Sequence, residues 1–284
     1  MKWNLLPADE LVRRLEPPKG RVKMVLDTDT YNEVDDQFAL AYSLLSPEKL
    51  DVLAVYAAPY FNDRSSGMEK SYAEIVRLLG KMGRTSEGFV FKGSRGYLPD
   101  GETPVESEAA RDLVKKAMAM PEGELLYVVA IGAITNVASA ILMEPEIVKK
   151  ICVVWLGGHP LSASTAREFN LMQDVPAARV VLDCGVPFTL VPCMGVASHL
   201  LATVPDMKDA IGGKNALCDA LVELFGEYSS DHFGWAKEIW DVSTIAYLVN
   251  PDWIPTVLEH SPLLTDDCHW AHDANRHFIR VATF

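Results

Sequence analysis

Between residues 22 and 193 the sequence keeps returning to short runs that are apolar at nearly every position. They are VKMVL (22–26), DVLAVYA (51–57), LLYVVAI (125–131), ICVVWLG (151–157) and FTLVPC (188–193). A strand with one wet face alternates apolar and polar residues, whereas an unbroken apolar run needs cover on both faces. FVFKGS (89–94) reads as a further, shorter strand. Between the runs lie stretches with a helical stripe: QFALAYSLL, residues 67–80, SEAARDLVKKAMAM with Ser107 as its cap, ITNVASAILM, and residues 174–182 opened by Asp174. Repeated strand–loop–helix units predict an α/β fold, an open doubly wound and mostly parallel sheet with helices on both faces. The expected organisation is one domain over residues 1–284. Its C-terminal part, from about residue 205, is more helical, and the tail from Pro251, which contains Pro and His, has less regular periodicity.

With 49% hydrophobic and 23% charged residues, the chain has ample material for such a core. Its formal net charge of -13 opposes binding to a phosphate backbone, and the basic residues form only short pairs such as Lys115-Lys116. Nucleic acid is therefore not an expected partner. Cys152, Cys184, Cys193, Cys218 and Cys268 are odd in number, widely spaced and contain no CxxC, which argues against a disulfide framework or a cysteine-based zinc site. No run reaches membrane-spanning length, and the N-terminus lacks the core of a signal peptide. The expectation is a cytoplasmic protein without a membrane partner.

In an open α/β sheet ligands gather at the carboxyl ends of the strands, so the polar clusters that follow the apolar runs are the candidate site. The densest is VLDTDTYNEVDDQFAL (25–40), where Asp27, Asp29, Asp35 and Asp36 sit at or just past the first strand. Crowded carboxylates repel unless protonated, hydrogen-bonded or bound to a cation, and oxygen-only ligation suits calcium or magnesium. The competing reading is an acidic helix start, with Asp35 and Asp36 against the helix dipole. The spacing is not that of an EF-hand. Tyr31, Asn32 and Glu33 form the tip of the loop, with Glu33 read as solvated.

Later clusters are each open to two readings. Asn62, after the second strand, suits a sugar hydroxyl or a turn. In VVAIGAITNVA (128–138), Gly132 permits close backbone approach, and Thr135 or Asn136 caps or braces the next helix. In WLGGHPLSASTAREFNLMQDVPAA (155–178), Glu168 is a site or salt-bridged residue and Asn170 a site residue or a helix cap. Asp241, in EIWDVSTIAYL, is either a buried aspartate that needs partners or the cap of a surface helix. His159 and His232 are candidate acids or base contacts as well as ordinary surface histidines. Trp240 is a candidate stacking partner for a base.

In this order, DTD…DD, GAITNVA and EFNLMQDVPAA resemble the inosine–uridine-preferring nucleoside hydrolase family, over about residues 22–280. The resemblance implies an enzyme that hydrolyses the N-glycosidic bond of a ribonucleoside or related riboside, giving ribose and free base. In that family a calcium ion at the bottom of the pocket contacts two ribose hydroxyls and the nucleophilic water. Asp29 then matches the residue that ligates calcium and deprotonates the water. Asp36, Asp241 and the Ile131 carbonyl match further ligands, and Asp27 matches a carboxylate behind them. Asp35, Asn62, Glu168 and Asn170 match residues that hold the ribose, and a homodimer or homotetramer is implied.

Four features depart from the family pattern. TYNEV puts five residues between Asp29 and Asp35 where three are usual, which brings Tyr31 and Asn32 forward as pocket contacts. Trp240 stands where purine-active members often carry a histidine. Ser162 matches an asparagine that grips the ribose. The loop SRGYLPDGETPV lacks the family's histidine. The alternative reading of the same cup is a noncatalytic, calcium-dependent nucleoside- or ribose-binding protein.

Overall fold

The computed structural model describes residues 3, 5–60 and 66–284. In chain order its elements begin with α1 (Ala8–Arg14), β1 (Val22–Thr28), α2 (Asp35–Leu44), β2 (Leu50–Ala57), α3 (Gly67–Lys81) and β3 (Val90–Lys92). They continue with α4 (Glu108–Met118), β4 (Leu126–Ala130), α5 (Thr135–Met143), β5 (Ile151–Leu156), α6 (Phe169–Gln173), α7 (Val175–Asp183) and β6 (Phe188–Val191). The last third adds β7 (Leu201–Ala202), α8 (Val204–Ile211), α9 (Ala216–Glu227), β8 (Lys237–Glu238) and α10 (Val242–Val249). It closes with β9 (Thr256–His260), β10 (Leu263–Leu264), β11 (Trp270–Ala271) and β12 (Phe278–Ala282).

Among the described residues, eight strands form the central sheet in the order β3-β2-β1-β4-β5-β6-β12-β9. Every neighbouring pair is parallel except β12 with β9. Successive side chains of the inner strands point to opposite faces, and both faces are dry. Val25, Val128 and Val153 pack on one side with Leu113 of α4, Ile141 of α5 and Val181 of α7. Met24, Val129 and Val154 pack on the other with Leu40 of α2, Ile75 of α3 and Ile245 of α10. The predicted doubly wound α/β architecture is thus the observed one. Ser107 caps α4 by accepting the Ala110 amide at 3.0 Å, and Asp174 caps α7 by accepting that of Ala177 at 3.0 Å.

The tail departs from expectation, because β9 and β12 extend the sheet from a segment of less regular periodicity. Arg280 interrupts the apolar pattern of β12; its guanidinium donates to the Leu15 carbonyl and to Thr256 Oγ1. β9 is the edge strand, half-exposed along its length, so nothing required it to be continuously apolar. The helical part after residue 204 packs Met207 and Phe225 against Val34, which places it over the loop between β1 and α2. Among the described residues no helix is long and apolar enough to cross a membrane.

Candidate active site

From β1 the chain passes to β2 on one side, and it later returns to β4 on the other. The carboxyl ends of β1 and β4 therefore flank the crevice where ligands bind in open α/β sheets. β1 ends in Asp27 and Thr28, and Asp29 follows at once. The Asp29 carbonyl accepts the amides of Tyr31 (2.6 Å) and Asn32 (2.9 Å), which turns the chain before α2 begins with Asp35 and Asp36. Across the crevice Asp241 precedes α10, and its amide donates to Asp35 Oδ2 at 3.3 Å.

Asp35, Asp36 and Asp241 are all buried, and each offers a carboxylate oxygen within 4.8 Å of the others. Thr28 Oγ1 donates to Asp36 Oδ1 at 2.5 Å. Asp29 lines the same cavity of about 310 Å³ but lies outside this triplet. Its Oδ1 would be 2.8 Å from a Cβ at position 132, so a glycine there leaves room for the carboxylate. The Gly132 carbonyl is itself held by Trp155 Nε1 at 3.0 Å. Asp29 Oδ2 and Asp241 Oδ1 are buried with no hydrogen-bond partner among the described residues.

Burial is the main force on these acids, followed by their mutual repulsion. Burial, then the charges of Asp36 and Asp35, pushes Asp29 well above the usual carboxylate range. Burial and Asp35 push Asp36 and Asp241 the same way. Asp35 rises to about 6, through burial and the neighbouring Glu33, against the opposing charge of Lys237. A hard divalent cation matches this donor set: oxygen only, closely grouped, buried, and with two carboxylate oxygens unpartnered. Asp35 and Asp36 do occupy the first turn of α2, as an acidic helix start requires, whereas Asp241, just before α10, makes no side-chain capping bond.

The next ring of the cavity is built by β4, β5 and α6. Asn170 Nδ2 donates to the carbonyls of Ile131 (3.2 Å) and Leu156 (3.0 Å), joining the ends of adjacent strands. Glu168 caps α6, its carboxylate accepting the amides of Gly158, Asn170 and Leu171 at 2.8–3.1 Å. Burial nevertheless raises it to about 7. Asn32, His159 and Trp240 line the cavity as well, together with Glu33, Arg167 and Cys193, which sequence reasoning did not single out as site residues. Asn32 and Glu33 also border a second cavity of about 560 Å³, and Tyr31, 55% exposed, faces that one.

Ser162 and His232 are not brought to the carboxylates. Ser162 is exposed and borders a separate cavity beside β9 and β12. His232 is exposed, its Nε2 2.8 Å from the Gly226 carbonyl and its ring against Trp235. Asn62 lies outside the described residues.

Asn136 does more than brace its own helix. Its Nδ2 donates to Asp27 Oδ1 at 2.8 Å, and its Oδ1 accepts the Ser94 amide at 2.8 Å, so one side chain ties β1 to the loop after β3. Asp27 is fully buried, and burial, opposed by this bond, raises it to about 7. Asn136→Ala strands a buried carboxyl and a buried amide together. It is expected to lower the unfolding free energy by about 3 kcal/mol, read from urea denaturation.

The inosine-uridine preferring nucleoside hydrolase family model matches residues 24–282. A probable uridine nucleosidase 2 of Arabidopsis thaliana is 28% identical over 239 residues, 75% of this chain and 71% of the relative. The pyrimidine-specific ribonucleoside hydrolase RihA of Escherichia coli O81 (strain ED1a) is 28% identical over 262 residues, 82% and 81% of the two chains. Among solved structures, the plant nucleoside hydrolase PpNRh1 superposes with a TM-score of 0.72 at 22% identity, covering 93% and 94% of the two chains, a likeness of fold. A match that begins in β1 and ends in β12 takes in every segment that brings a carboxylate to the crevice, and the chain belongs to the inosine-uridine preferring nucleoside hydrolase family.

Proposed function

We propose that this nucleoside-hydrolase-like enzyme uses calcium to hydrolyse the N-glycosidic bond of a ribonucleoside, releasing ribose and free base. The observation that carries this reading is one buried carboxylate, Asp29, whose Oδ2 is unpartnered beside a triplet of aspartates in a single cavity. Asp36, Asp241, Asp29 and the Ile131 carbonyl would hold the ion. That carbonyl keeps a lone pair beyond the one engaged by Asn170. Bound there, calcium supplies a fixed positive charge and Lewis acidity that favour ionisation of water.

The residues of the chain do the rest. Asp29 Oδ2 takes the proton as the water oxygen attacks C1′. The C1′–N bond breaks and its electron pair leaves with the base. Asp35, Glu168, Asn170 and Asn62 hold the ribose, and the surrounding carboxylates stabilise the positive charge that develops on it. Asp27 steadies the floor of the site through Asn136. At the base end, Trp240 offers a ring. His159 is the one imidazole among the described lining residues, and burial lowers its pKa, so it is neutral at pH 7. A base that departs without strong proton donation fits this end best.

The test is ribose release from a panel of uridine, cytidine, inosine, adenosine, their deoxy forms and nicotinamide riboside, with calcium and after chelation. The pyrimidine-directed names of both sequence relatives put uridine and cytidine first. Calcium-dependent release from a ribonucleoside is the expected result. Calcium-dependent binding across the panel without any release would overturn it in favour of a noncatalytic nucleoside-binding protein.

A further inference from the structure

The lengthened loop between Asp29 and Asp35 is tied to the far end of the chain by a charge pair. Glu33 Oε2 lies 2.6 Å from Lys237 Nζ, across 204 residues of sequence. The Lys237 side chain is only 9% exposed. Its ammonium also donates to the Glu238 carbonyl at 3.2 Å and lies 5.0 Å and 5.9 Å from the ring centres of Tyr228 and Trp240. An ammonium removed from water this far is costly unless its donors are used and a counter-charge is close. Here both conditions hold, although no step of the proposed reaction uses the residue.

What the pair joins gives it a role. Glu33 precedes Asp35 by two residues, and Lys237 in β8 precedes Asp241 by four. Two of the three clustered aspartates therefore arrive on one side of the pair and the third on the other. Carboxylates grouped within 4.8 Å repel one another when ionised, which pushes these segments apart. A direct hydrogen bond between the two sides runs from the Asp241 amide to Asp35 at 3.3 Å, beside the apolar cluster that α2 and α10 share. Apolar contact of Val34 with Phe225 and Trp235 helps but is not directional.

We infer that Glu33 and Lys237 form a clasp that holds the β1–α2 loop against the segment before α10, so that Asp36 from one side and Asp241 from the other face one cation. Both are positioning residues, and the inference rests on the calcium reading above.

Calcium titration calorimetry on metal-stripped protein separates the clasp from simple charge. If the two residues acted only through their charges, Lys237→Met would make the cup more negative and tighten calcium, while Glu33→Gln would weaken it. The clasp predicts that each substitution weakens calcium, by about tenfold, and that the double variant is no worse than either single one. Lys237→Arg, which keeps a cation within reach of Glu33, is expected to recover most of the affinity. Melting curves in chelator establish that each variant is folded, and Lys237→Gln replaces the methionine variant if that one is not. Calcium bound by the Lys237 variant as tightly as by the wild type or more tightly, or losses that simply add, would overturn the clasp. Absence of calcium binding by the wild-type protein would instead overturn the metal reading, and the clasp with it.

Discussion

Asp29→Asn is expected to reduce turnover of the preferred ribonucleoside by about 10³-fold, the scale of a lost general base. The substitution keeps the shape of the side chain, and position 132 still leaves room for it. What it removes is the ability of the Oδ2 position, unpartnered in the buried cup, to take a proton from water. Stability should move in the opposite direction. Ionised Asp29 is disfavoured by burial and by Asp36 and Asp35, so a neutral side chain relieves all three in chelated protein. The variant is expected to melt several degrees higher than wild type in chelator, and calorimetry then shows how much calcium affinity has been lost. Unchanged kcat with normal calcium stoichiometry would remove Asp29 from its assigned role. A fall in kcat with no gain in melting temperature would show that the strain attributed to the cup is absent.

The parts of the fold that sequence made legible are those whose environment is uniform. Strands β1, β2, β4, β5 and β6 are covered on both faces, so each prints an apolar run with a polar cluster after it. β12 and β9 carry no such print. Arg280 breaks the run in one, and the other lies half in solvent. The same distinction divides the site. Asp27, Asp29, Asp35 and Asp36 are neighbours in sequence, and their crowding alone calls for a cation or protons. Asp241 joins them from over 200 residues away; its apolar setting marks it as unusual, but only the family pattern indicated its company.

Glu33 reads as solvated in sequence, and its side chain is 39% exposed; what the sequence does not show is its ion pair with Lys237, which has no local relation to it. Ser162 matches a ribose-gripping asparagine by position, yet its loop leads it toward β9 and β12, because the path of an irregular loop is set by what it packs on rather than by its own residues. Asn136 was legible as a brace but not as the partner of Asp27, since that bond depends on β1 and β4 lying side by side.

The largest effect of conditions on this protein should be a dependence of stability on pH that calcium suppresses. In metal-free protein the cup carboxylates titrate well above an unfolded aspartate, Asp35 at about 6 against 3.8. A group whose pKa is raised by folding contributes stability that is complete below the unfolded value and is lost as pH rises through the folded one. At about 1.4 kcal/mol per unit, Asp35 alone accounts for roughly 3 kcal/mol over that window. Asp27 adds to it in the same direction, up to about 7. In chelator the melting temperature is therefore expected to fall by about 10 °C between pH 5 and pH 8, given the few degrees per kcal/mol typical of a chain of this size. Calcium held as proposed would bind the ionised carboxylates and displace their protons, so its stabilising effect is expected to be small at pH 5 and to grow steadily toward pH 8. The surface acids with lowered pKa, such as Glu69 beside Lys92 and Asp206 at the start of α8, act in the opposite sense. Their contribution is lost only below about pH 4, where unfolded carboxylates protonate, and so leaves this window clear. Melting curves across the range, with and without calcium, check the expectation directly. Parallel curves would mean that the buried aspartates and the calcium site are not the same groups.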